Sequence, residues 1–205
     1  MASPGFSRQP SGDDDVSPGL PFGATRERDP GFFASLGSGT VLGQLRMMAL
    51  ALVVAPVLIL AISPMIVRSP EDGDGEPGTL PLLLCVPLLL GALVAVVVGP
   101  RTPKPLPPGL EDGRAAELAR EQFQHAVLMR YALAEGTILL GLPLAIVAES
   151  EAVFVFGFVL GWPALVWLAL PTQGMVERVR RRLESRGARS HLWAALLAQG
   201  PPPRR

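Results

Sequence analysis

Cysteine, lysine, tyrosine and histidine are nearly missing from this chain: Cys85, Lys104 and Tyr131 are each alone in their kind, and His125 and His191 are the only histidines. A lone cysteine excludes an intrachain disulfide. Cys85 lies in an apolar run with no histidine or charge beside it, so it reads as a small hydrophobe rather than a nucleophile. The two histidines fall in separate connecting segments, and no HExxH, GxSxG or Cys/His cluster accompanies them. These absences lead to the expectation of no catalytic activity, no cofactor and no metal. Charge is scarce too. Asp, Glu, Lys and Arg make up 18% of the chain against about 25% in soluble domains, while 49% is hydrophobic and the mean hydropathy is +0.37. That balance favours an integral membrane protein.

The hydrophobic residues fall into four runs, at residues 45–67, 80–99, 129–148 and 152–170. A helix needs roughly 20 apolar residues to cross hydrocarbon about 30 Å thick, and each run is close to that length. The fold class expected is therefore all-α: a bundle of four transmembrane helices, residues 41–172, in two antiparallel hairpins. Pro56 and Pro64 interrupt the first run and free carbonyls one turn earlier, which predicts a kinked helix with Ser63 available to help. Only Glu149, Ser150 and Glu151 separate the last two runs, so these should form a tight helical hairpin.

Residues 1–40 are rich in Pro, Gly, Ser and Asp and predict a disordered tail, with Phe32, Phe33 and Leu36 as candidates for the membrane interface. The acidic connection after Arg68 contains Asp72, Asp74 and Glu76 at the spacing that opens a calcium loop. Pro77 stands where such a loop needs glycine, so an easily exported segment is the simpler reading. Between the second and third runs, residues 100–128 begin with a proline-rich spacer and continue as an amphipathic helix, where Glu117 with Arg120 and Glu121 with His125 share a face. Residues 173–205 form a basic tail in which Met175, Val176, Val179 and Leu183 make an apolar stripe and Arg178, Arg180, Arg181 and Arg182 are candidates for contact with anionic lipid. Nucleic acid is not expected, since no binding motif accompanies the arginines.

Lysine and arginine alternate along the connections. Arg26, Arg28 and Arg46 flank the first run; Arg101, Lys104, Arg114, Arg120 and Arg130 lie between the second and third; the arginine cluster follows the fourth. The remaining two connections carry Arg68 alone. The positive-inside rule then predicts a multi-pass protein of the inner (plasma) membrane with both termini cytoplasmic.

Inside the third run stands a carboxylate, Glu135, where an ionised group is costly unless it finds a partner, an aqueous face or a proton. Arg46 belongs to the same leaflet and Tyr131 to the same helix face, so both are candidate partners, and access to the interface is the plainer alternative. Gly157 and Gly161 form a GxxxG that lets another backbone approach, either the third helix or a second copy of the chain. From these features the expected function is that of an assembly, scaffold or regulatory component of a membrane complex, with the bilayer and a homo-oligomeric or other membrane partner. The alternative is proton or ion translocation through Glu135. The run Ala132–Val147, small residues around that glutamate followed by Gly-Leu-Pro, resembles the carboxylate-bearing helix of the rotary ATPase proteolipid. The likeness is confined to that run, and the glycine-repeat helix of that family has no counterpart here.

Overall fold

The computed structural model describes residues 24–67 and 79–199. The acidic connection with its calcium-like spacing, the first 23 residues and the last six lie outside them. Apart from one isolated bridge between Thr40 and Gln199, the regular structure among the described residues is helical, with four helices long and apolar enough to cross a membrane. These are α1 (Val41–Ile66), α2 (Thr79–Val98), α3 (Asp112–Val147) and α4 (Glu151–Ala169). Two shorter helices follow, α5 (Gln173–Leu183) and α6 (Leu192–Leu197).

Helix α1 begins where Thr40 caps it, its hydroxyl accepting from the Gly43 amide at 3.1 Å. The carbonyl freed by Pro64 is compensated. Pro64 has no N–H for the Leu60 carbonyl, and the Ser63 hydroxyl lies 2.9 Å from that oxygen instead. Near Pro56 the Val53 carbonyl accepts from the Trp162 indole at 3.2 Å, which ties α1 to α4.

Helices α3 and α4 make the closest pair because glycine lets their backbones meet. A methyl group on Gly161 would strike Ile138 and come within 3.1 Å of the Ala134 carbonyl, and one on Gly157 would lie 3.5 Å from the Gly141 Cα. The GxxxG face is therefore turned to α3 within the chain. Leu88 of α2 covers Gly157 from the other side. Around these contacts lies a core that includes Val53, Leu88, Ala134, Ile138, Phe154 and Leu165. The outer faces are apolar and exposed throughout, from Leu58 and Ile62 on α1 to Leu82 and Leu89 on α2 and Val159 on α4, as a surface in contact with lipid requires.

Helix α3 has 36 residues and so spans about 54 Å at 1.5 Å per residue, far more than a bilayer core needs. Its first half builds a second core. Ala119, Phe123 and Val127 pack with Val41, Leu42, Leu106, Met175, Val179, Leu183, Trp193 and Leu196. The apolar stripe of the basic segment is thus spent on a folded platform at the end of the bundle. Residues 24–40 are ordered too, through two 3₁₀ turns (Arg26–Arg28 and Ala34–Gly37), and the proline-rich spacer is laid against α5 by a bond from the Leu106 amide to the Leu183 carbonyl at 2.9 Å. Where composition predicts a disordered tail over residues 1–40, residues 24–40 carry two short turns, and the amphipathic basic segment is helical with its stripe buried. The short apolar group Leu192–Leu197 gains a core only when the chain brings it together with distant elements.

Candidate functional site

The polar chemistry of the molecule gathers where bundle and platform join. Arg46, one and a half turns into α1, is fully buried. Its guanidinium grips Asp29 with two parallel bonds, Nη1 to Oδ1 at 2.8 Å and Nη2 to Oδ2 at 2.7 Å, the two-pronged geometry that suits arginine and a carboxylate. Nη1 also donates to the Gly31 carbonyl at 3.0 Å and the Ser35 hydroxyl at 2.6 Å, and Nε donates to the Pro171 carbonyl at 3.0 Å. Phe32 lies over the guanidinium, 5.5 Å from Cζ to the ring centre. One side chain thereby fastens the N-terminal segment, α1 and the link between α4 and α5. Glycine is required beside it: a methyl group on Gly43 would collide with the Ser35 carbonyl. Burial alone would raise the Asp29 carboxyl, but the Arg46 guanidinium outweighs it and holds the group below the usual carboxylate range.

The pairing of Arg46 with Glu135 expected from sequence is not formed, because Asp29 satisfies Arg46 from outside the bundle. Glu135 is half-buried on α3, with Tyr131 one turn earlier on the same face.

Arg130, also on α3, is 5% exposed and reaches the end of α2 rather than Glu135. Its Nε donates to the Gly99 carbonyl at 2.9 Å, which Thr102 also bonds, and Nη2 to the Thr102 carbonyl at 2.7 Å, placing a cation where the helix ends. Nothing in the sequence distinguished it, since its partners are backbone atoms.

The four arginines of α5 divide by face. Arg180 bonds both Glu177, at 2.7 Å, and Glu184, at 2.9 Å, and Arg181 lies 3.4 Å from Glu177. The Arg180 guanidinium keeps the Glu177 carboxyl near a pKa of about 2 despite burial, and the Trp193 indole adds a further bond. Arg178 and Arg182, four residues apart and so on one face, turn instead toward Arg130. Arg178 stacks on Trp167 at 5.5 Å, and Arg182 donates from Nε to the Pro103 carbonyl at 2.9 Å. On the amphipathic half of α3, Glu117 pairs with Arg114, at 2.6 Å, rather than with Arg120.

Several hollows open on the platform. One, ≈480 Å³, lies between residues 24–26, α5 and Trp193 and is lined by both arginine and glutamate. Another, ≈420 Å³, lies between α3 and the end of α6, a further one of ≈300 Å³ lies beside the proline-rich spacer and His125, and one of ≈100 Å³ is shared by Arg130, Arg178 and Arg182. Among the described residues no three of His, Cys, Asp and Glu come together as metal ligands would. No family model matches the chain, and neither a curated protein nor a solved structure is significantly similar to it.

Proposed function

We propose that the chain is a multi-pass plasma-membrane protein without catalysis of its own, which serves as a scaffold or regulatory component of a membrane complex. Its four spans form two antiparallel hairpins, with both termini and the platform in the cytoplasm, where the alternation of Lys and Arg among the connections puts them. The observation that carries this reading is the continuity of α3, which supplies Phe123 and Val127 to the platform core and Ala134 and Ile138 to the bundle core. A partner seated on the platform is thereby coupled to the spans without a flexible joint. The ≈480 Å³ hollow, with Arg26, Arg181 and Arg189 beside Glu177 and Glu184, suits a polar segment of a partner protein. Because Gly157 and Gly161 are occupied by α3, assembly with a second copy would use other surfaces.

A photo-crosslinker placed in turn at Ala24, Arg181 and Arg189 of the full chain in native membranes tests the proposal. The expected result is a discrete protein adduct from the hollow. Absence of any adduct from all three positions would contradict assembly through this face.

Translocation through Glu135 is the second reading. It is favoured by the half-buried carboxylate of Glu135 within a helix long enough to span, five residues or about 7.5 Å beyond Arg130 along the axis.

A further inference from the structure

Among the described residues four arginines pair with acids: Arg46 with Asp29, Arg114 with Glu117, Arg180 with Glu177 and Glu184, Arg181 with Glu177. Those around the ≈100 Å³ hollow do not, and they converge on one place. Arg130, Arg178 and Arg182 line it together with Pro100, Trp167 and Leu168, and no carboxylate among the described residues pairs with any of the three. Arg178 and Arg182 are close enough to bear electrostatically on Arg130. Arg130 is held in place by Gly99 and Thr102, and its Nη1 has no acceptor among the described residues. Three cations around one small hollow repel each other unless an anion lies between them. Their planar donors suit the oxygens of a phosphate.

The position of the hollow selects the source of that phosphate. It lies where α2 ends and α4 has its last turn, so it sits at the edge of the apolar belt. Trp167 is 52% exposed beside it, and Val98 and Met129 are exposed on the neighbouring helices. A ligand with its phosphate among the arginines would therefore have apolar surface directly beside it for an acyl chain, and a half-exposed tryptophan at this depth is the usual interfacial anchor.

We propose that Arg130, Arg178 and Arg182 form a headgroup site for an anionic phospholipid, which they hold by its phosphate at the boundary between bundle and platform. The site depends on the four apolar helices lying in a bilayer and holds whether or not the platform captures a protein partner. It also narrows the role of the basic segment: Arg180 and Arg181 are engaged with glutamates, and lipid recognition falls to Arg178 and Arg182 with a third arginine from α3.

The test uses the full chain in mild detergent, with lipid binding followed by native mass spectrometry during titration with phosphatidylglycerol, phosphatidylcholine or inorganic phosphate. Arg178→Gln with Arg182→Gln changes exposed side chains only, and Arg181→Gln with Arg186→Gln removes the same charge from elsewhere on the platform. The expected result is preferential binding of phosphatidylglycerol over phosphatidylcholine, weakened roughly thirtyfold in the first variant and changed less than about twofold in the second. Equal weakening in both variants would replace the site with diffuse surface attraction. No weakening in either variant, or no preference for phosphatidylglycerol, would overturn it. Inorganic phosphate that binds as tightly as the lipid would overturn the lipid assignment.

Discussion

Asp29 and Arg46 form a fully buried ion pair, with both side chains at 0% exposure and 2.7 Å between Oδ2 and Nη2, joining a segment before the first span to the span itself. Every strong acceptor around the guanidinium is supplied by the protein, so removal of one partner leaves a charge buried without compensation. Asp29→Ala is expected to lower stability by about 3–5 kcal/mol, and Arg46→Met by a similar amount. The double variant should cost clearly less than the sum of the two. Thermal unfolding of the four proteins in one detergent measures this; additive losses would show that the pair is not coupled.

Glu177 links acid stability to the platform. Its folded carboxyl titrates near a pKa of about 2 against an ordinary 4.5, chiefly because Arg180 holds the ionised form. Between those values the unfolded chain takes up a proton that the folded chain does not. The stabilisation is therefore complete above pH 4.5 and lost as the pH falls toward about 2. Asp29, also held below its ordinary 3.8, adds a loss of the same sign at the low end of that range. Glu177→Gln should flatten the slope of melting temperature against pH in this window, while an unchanged slope would mean that the Arg180 bonds do not persist in solution.

Glycines on one face of the α3–α4 pair should differ sharply from those on the other. Gly161→Ala places a methyl group against Ile138 and the Ala134 carbonyl and is expected to destabilise by about 1–3 kcal/mol. Gly136 has nothing within 4 Å of an added Cβ, so Gly136→Ala should be neutral or stabilising by up to about 1 kcal/mol. Unfolding in detergent compares them directly. Equal effects would contradict the close contact of α3 with α4.

Glu135→Gln decides the translocation reading. The scaffold reading expects proton flux in reconstituted vesicles to be indistinguishable between wild type and variant, with partner crosslinking at Arg189 retained. Flux by the wild type that the variant abolishes would favour translocation instead.

What was legible in the sequence follows the range of the interaction concerned. The apolar runs expected at 45–67, 80–99, 129–148 and 152–170 lie within a few residues of α1, α2, the second half of α3 and α4, because span length is dictated by the thickness of hydrocarbon. The stripe Met175, Val176, Val179 and Leu183 was legible as an amphipathic helix for the same local reason, and all four residues are buried. Its partners were not, since Phe123 and Leu42 reach it from distant parts of the chain. The bond between Asp29 and Arg46 crosses a glycine-containing turn with no periodic pattern to announce it. Arg130 was hidden more deeply: its acceptors are main-chain carbonyls, which carry no residue type.

Labelling from outside intact cells tests the central claim, that four spans carry a folded platform on the side of both termini. Cys85→Ala provides the background, and single cysteines replace Lys104, Glu149 and Arg186, all exposed positions. A membrane-impermeant maleimide is expected to label the cysteine at 149 and to reach those at 104 and 186 only after the membrane is opened. Labelling of 104 and 186 on opposite sides, or protection of 149 together with them, would contradict the account.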